Sequence, residues 1–168
     1  LPAIDRPVYI VSMNTTSTRD RLIDAMADAL QRKGLHGVGL SELLSTAGAP
    51  KGSLYHHFPD GKTELAVAAI DRISERIDGM FAHLFSRHDD PLLALQQWLN
   101  GALQQLENSR FERGCPLATV ALESGPDDVA IRQALDRSFA TVRRALAEQL
   151  HRHGHARETA ENLAALFV

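Results

Sequence analysis

Leu40-Ser41-Glu42-Leu43-Leu44-Ser45-Thr46-Ala47-Gly48-Ala49-Pro50-Lys51-Gly52-Ser53-Leu54-Tyr55-His56-His57-Phe58 is the stretch on which the fold turns. Leu40, Leu43, Leu44 and Ala47 recur at the spacing of one helix face, and Gly48 stands where a left-handed cap ends such a helix. Pro50 suits the first turn of another helix, because its missing N–H is an orphan there, and Leu54 and Phe58 share a face before Pro59 ends the run. The spacing predicts short helices over 40–47 and 50–58 joined by Gly48-Ala49. That is the size of a helix-turn-helix, whose second helix enters the DNA major groove while the first crosses the backbone. Plain helical bundles contain such pairs too, so spacing alone leaves both readings open.

The residues of the second helix favour DNA. With Leu54 and Phe58 spent on packing, Lys51, Ser53, Tyr55, His56 and His57 are left for other faces, and none is acidic. Lys51 can neutralise a phosphate or donate to guanine, Ser53 can bond phosphate or a base edge, and Tyr55 and the histidines can donate to phosphate oxygens. Gly52 allows close approach to the DNA backbone. Lys62, at the start of a following helix, adds its charge to the helix N-terminal amides for a second phosphate contact.

Helical periodicity extends in both directions. Upstream, Ser17-Thr18-Arg19-Asp20 reads as a capping box, and Leu22, Ile23, Met26, Ala27 and Leu30 line a stripe that Gly34 ends. Downstream, a long helix over 62–85 places Leu65, Ala69, Ile73, Ile77, Met80, Phe81 and Leu84 inward. Asp89-Asp90-Pro91 starts the next, with Leu92, Leu95, Leu99, Leu103 and Leu106 inward. A short helix spans 116–123, and a long one after Asp127-Asp128 carries Ile131, Leu135, Phe139, Val142, Leu146 and Leu150. A last helix over 158–168 ends without a cap on Leu163, Ala164, Leu166, Phe167 and Val168, the pattern of a helix that continues beyond the sequence. Only Val8 to Val11 alternates as a strand would. The fold class is all-α.

Composition agrees with a folded helical protein. The 168 residues are 44% hydrophobic and 23% charged, and no apolar run reaches the roughly 18 residues of a membrane span. The lone Cys115 excludes an intrachain disulfide framework and suits a reducing compartment, so the expected location is cytoplasmic. Net charge is −3, yet within 29–59 Arg32, Lys33 and Lys51 face only Glu42, which makes this stretch locally cationic. Met13 reads as a natural start, which makes 1–12 an upstream extension or tag remnant and 1–16 a flexible segment.

The run from Ala47 to Phe58, followed by Lys62-Thr63-Glu64-Leu65, resembles the TetR family of transcriptional regulators. It is similar above all to the LmrA/YxaF-like subgroup, through Ala49-Pro50-Lys51-Gly52-Ser53, the turn Phe58-Pro59-Asp60-Gly61-Lys62, and Gly114-Cys115-Pro116-Leu117 followed by Ala121-Leu122-Glu123. The resemblance covers about residues 17–168 and implies DNA contacts at Lys51, Gly52, Ser53, Tyr55, His56, His57 and Lys62, with Arg19 and Arg21 as further backbone contacts. Val38-Gly39 departs from the usual Thr or Ser cap before the second helix. The resemblance also implies two parts. A helix-turn-helix domain over 17–61 would bind a near-palindromic operator, and a helical bundle over 62–168 would enclose a small-molecule effector and form a homodimer through its last helices. A repressor released by a small apolar molecule follows, with Met80, Phe81, Trp98, Cys115 and Phe139 as the candidate ligand-binding residues and no cofactor or catalytic group.

Plainer readings stand beside these. Each aromatic can simply be core, and Cys115 beside Pro116 reads as a buried, inert thiol rather than a redox sensor. The histidines at 56–57 and 151–155 lack converging partners for a metal, and the paired aspartates precede helices, where capping accounts for them. The sequence has no nucleophile elbow, phosphate-binding glycine loop or metal-binding HExxH, which argues against an enzyme. A helical binding module without DNA affinity is the remaining alternative.

Overall fold

The computed structural model describes residues 17–168; the expectations for Met13, for residues 1–16 and for Val8 to Val11 lie outside the described residues. Among the described residues there are eight helices and no strand: α1 (Thr18–Lys33), α2 (Leu40–Thr46), α3 (Ser53–His57), α4 (Lys62–Ser86), α5 (Pro91–Asn108), α6 (Pro116–Glu123), α7 (Val129–Arg152) and α8 (Arg157–Phe167).

Local chemistry sets the boundaries. Ser17 Oγ accepts the Asp20 N–H at 3.1 Å and donates to Asp20 Oδ2 at 2.7 Å, a reciprocal cap that starts α1. Gly39 caps α2 with extended backbone and no side-chain bond, as its lack of a hydroxyl requires. Gly48, with φ of 58°, takes the left-handed turn that a side chain would resist. The third helix begins later than Pro50. The Pro50 carbonyl accepts both the Ser53 N–H at 3.0 Å and the Ser53 hydroxyl at 2.7 Å, closing a turn over Lys51-Gly52 before the helix starts.

The long α4 is the spine. Leu65, Ala66, Ala69, Ile70 and Ile73 are buried near its start and Phe81 and Phe85 near its end, and it packs on α1 and α7. Ile77, Met80 and Leu84, expected inside, are half-buried. An ionic seam seals α1 to α4. Arg72 reaches Asp20 at 2.7 Å and Asp24 at 3.2 Å, and Arg76 reaches Asp24 at 2.6 Å.

The fifth helix departs from expectation. Ala94 is its one buried residue, and the stripe expected inside is largely outside, with Leu92, Leu99 and Leu103 exposed by 58%, 48% and 49%. Ala94 and Trp98, one turn apart, take the inward face, where the Trp98 ring meets Phe81 at 5.9 Å. The leucine stripe is rotated from them by about 120° at 3.6 residues per turn, so docking the indole turns the leucines away.

Candidate nucleic-acid interface

Helix α1 holds the helix-turn-helix together. Arg21 Nε donates to the Ala47 carbonyl at 2.9 Å, and its terminal nitrogen lies 3.5 Å from the Gly48 carbonyl, so one guanidinium braces the turn between α2 and α3. Leu54 and Phe58 are each 1% exposed and anchor α3 from beneath. The Arg19 guanidinium stacks over the Phe58 ring at 5.2 Å. Arg21, expected as a backbone contact, is exposed and has its guanidinium engaged with the carbonyls of this turn. No sequence signal marks this, because its acceptor lies 26 residues away.

The anchored face turns the opposite one outward. Lys51, Gly52, Tyr55 and His56 are exposed, while Ser53 and His57 are half-buried, with the two histidine rings edge-on at 4.8 Å. The Tyr55 ring lies against Gly61, where an added Cβ would sit 3.2 Å from Tyr55 Cε1 and φ is +68°. This contact brings Tyr55 to the chain entering α4, beside the half-buried Lys62. The Ser53 hydroxyl donates to Pro50, so it can meet DNA only as an acceptor unless the turn opens.

Charge is more focused than the sequence suggests. Lys33 binds both oxygens of Glu42 at 2.7 Å, holding that carboxyl below its usual range, and Arg32 pairs with Asp28. Lys51 and Lys62 form no ion pair among the described residues, so the cationic excess of 29–59 resides on Lys51 itself. Helix α3 carries no acid to oppose it.

The candidate effector residues divide. Phe81 is buried, Trp98 is half-buried against it, and Trp98 meets Phe167 at 5.0 Å. Met80 and Phe139 are half-buried on the same core, though no ring contact joins Phe139 to the others among the described residues. Cys115 stands apart. It is exposed rather than buried, because it precedes α6 on the loop whose Gly114 carbonyl accepts a bond from Gln31 of α1. Among the described residues, a surface depression of about 250 Å³ lies between α7 and α8 and another of about 400 Å³ at the α6–α7 junction, and none of the candidate effector residues lines either. Among the described residues no cluster of three or more His, Cys, Asp or Glu could hold a metal. No helix there is long and apolar enough to cross a membrane.

Comparison with known proteins decides the family. Residues 22–69 match the model for bacterial regulatory proteins of the tetR family, and residues 91–168 match the LmrA/YxaF-like C-terminal domain. The repressor NemR of Escherichia coli is 33% identical over 140 residues, covering 79% of this chain and 67% of NemR. The chain belongs to the TetR family of transcriptional regulators. The regulator YxaF of Bacillus subtilis is 29% identical over 150 residues, covering 89% of this chain and 78% of YxaF. Among solved structures, a TetR regulatory protein from Rhodobacter sphaeroides superposes with a TM-score of 0.74 at 28% identity, covering 89% of this chain and 82% of that one. Reduced NemR superposes at 0.72 and 26%, with the same coverage. These relatives are regulators rather than enzymes, and DNA binding is the activity of a TetR-family regulator.

Proposed function

We propose that the chain is a repressor that binds a near-palindromic duplex as a homodimer and releases it when a small, largely apolar molecule enters its C-terminal helices. The reading divides the chain at Gly61, with a DNA-binding part over 17–61 and an effector-binding and dimerising part over 62–168. The observation that carries it is the surface of α3 and the turn before it: Lys51, Tyr55 and His56 outward, no acid on the helix, and Lys62 next to the glycine on which Tyr55 rests. Lys51 is assigned to a base edge or phosphate, Gly52 to close backbone approach, and Ser53, Tyr55, His56, His57 and Lys62 to the sugar-phosphate backbone. The operator and the cell's DNA place this activity in the cytoplasm.

Two further features support the rest. Leu166 is 87% exposed on α8 beside Leu163 and Phe167, an apolar face suited to a second copy of the chain. Met80 and Phe81 lie on α4, whose first residue is Lys62, and Trp98 and Phe139 lie on α5 and α7 beside it, so a ligand packing there can tilt α4 and change the separation of two recognition helices. Cys115 has no place in that cluster and leaves the effector assignment. Because DNA fixes half-site separation at about 34–36 Å, a few ångströms would cost most of the affinity. The required coupling is about 1–3 kcal/mol and is reciprocal.

Titrating an effector into the free protein and into the protein–operator complex tests this. The expected result is weaker effector binding to the complex, by the factor with which effector weakens DNA; equal affinities would exclude release by that compound. Heparin retention with a steep salt dependence separates the regulator from a helical module without DNA affinity.

A further inference from the structure

Besides α4, helix α6 packs against the DNA-binding head through α1. Glu123, the last residue of α6, places its carboxylate on the α1–α2 turn. Its Oε2 accepts the His36 N–H at 3.2 Å, and its own carbonyl lies 3.1 Å from His36 Nε2. The carboxylate fills the space a side chain at Gly34 would need, since an added Cβ there would fall 2.0 Å from Glu123 Oε1. Gly34 has φ of +66°, so the absence of a side chain serves both the end of α1 and the seat for Glu123. A second anchor lies one helix length away. Arg113 pairs with Asp28 at 2.7 Å and Gln31 donates to the Gly114 carbonyl at 2.9 Å, so one end of residues 113–123 grips the second half of α1 and the other the turn that follows it. The chain enters this segment through Arg110 and Phe111, both non-glycine residues with φ of 54° and 65°. Their N–H groups donate to the Glu107 and Leu106 carbonyls at the end of α5, which turns the chain toward Arg113. Because α1 also braces the α2–α3 turn through Arg21, whatever moves α6 moves the frame of the recognition helix.

We propose that Glu123 is a positioning residue for DNA binding: its carboxylate, seated on Gly34 and the His36 amide, fixes the angle of the head relative to the C-terminal helices and with it the half-site spacing the dimer accepts. The inference rests on the DNA-binding dimer proposed above. It adds a polar contact from α6 to the route through α4, and it assigns that contact to one side chain.

The test uses duplexes selected from a random library by the wild-type full chain, then remade with the spacer between half-sites lengthened or shortened by one base pair. Wild type, Glu123→Gln and Glu123→Ala are compared by fluorescence anisotropy, with folding checked by circular dichroism and thermal unfolding. The expected result is that Glu123→Ala reduces the preference for the native spacer over its neighbours by between about two- and thirty-fold. Glu123→Gln, whose amide oxygen still accepts the His36 N–H, restores most of it. A purely structural residue would lower affinity for all spacers alike, and that outcome overturns the inference, as does an unchanged preference in a folded Glu123→Ala. Failure of the wild type to select any duplex would instead overturn the DNA-binding reading itself.

Discussion

Arg21 Nε and the Ala47 carbonyl oxygen are 2.9 Å apart, and this bond ties the first helix to the turn that presents the recognition helix. Arginine this close to a helix-turn-helix invites assignment to phosphate, but here the guanidinium is engaged with protein carbonyls of the turn. Arg21→Ala is therefore expected to destabilise the head by about 1.5–3 kcal/mol, the range for hydrogen bonds to charged groups. Thermal unfolding measures this. The log–log salt slope of DNA binding should stay as in wild type, and a slope lower by about one would return Arg21 to the phosphate contacts.

Lys62→Ala and Tyr55→Phe are expected to weaken binding to all duplexes, and the Lys62 change should lower the salt slope by about one unit. Lys51→Ala should relax preference at a single base position, costing about 1–3 kcal/mol there. Anisotropy against a panel of single-base operator variants distinguishes the two. A uniform loss for Lys51→Ala would move Lys51 to phosphate.

The α1–α4 ionic seam gives a pH dependence of definite sign. Hydrogen bonds from Ser17 and then Arg72 hold the Asp20 carboxyl below its ordinary value of 3.8. A carboxylate with a depressed folded-state pKa contributes stability that is present above the unfolded value and lost as pH falls through the folded one. The contribution should be intact from neutral pH down to about 4 and disappear below that. Melting temperature against pH for wild type and Asp20→Asn checks it: the two curves should converge at the acid end and separate above it.

Ser74 and Ser138 lie at 5% and 2% exposure on the buried faces of α4 and α7, and neither hydroxyl has a hydrogen-bond partner among the described residues. Replacing either by Ala removes an unpaired buried polar group and gains helix propensity, so Ser74→Ala and Ser138→Ala are each expected to stabilise by about 0.5–2 kcal/mol. Denaturant unfolding with unchanged m-value is the measurement. A loss of stability would mean that the hydroxyls are satisfied.

Burial also separates two apolar positions that look alike in sequence. Phe81→Ala removes a side chain 1% exposed and is expected to cost about 3–5 kcal/mol. Leu103→Gln changes one that is 49% exposed and should cost less than about 1 kcal/mol. Equal losses in thermal unfolding would indicate that the leucine face of α5 is covered in solution.

That pair shows where periodicity informs and where it stops. Local signals fixed the ends of α1, α2 and α4, because Ser17, Gly48 and Gly61 act on their own neighbours. The Lys51 to His57 surface was legible for the same reason, since burying Leu54 and Phe58 dictates what a short helix turns outward. Which face of α5 turns inward was not, because Trp98 docks on Phe81, 17 residues away in sequence, and one indole outweighs a stripe of leucines. The roles of Arg21 and Glu123 were hidden for a related reason. Their partners lie 26 and 87 residues away, and hydrogen bonds to backbone leave no pattern in sequence.

Fluorescence anisotropy of the full chain on a labelled genomic duplex recovered with it, against a scrambled duplex of equal length at physiological salt, shows whether the α2–α3 head reads a specific duplex. The recovered duplex should bind more tightly by at least about a thousand-fold, the lower end of the range for specific regulators. Equal affinity for the two duplexes would contradict it.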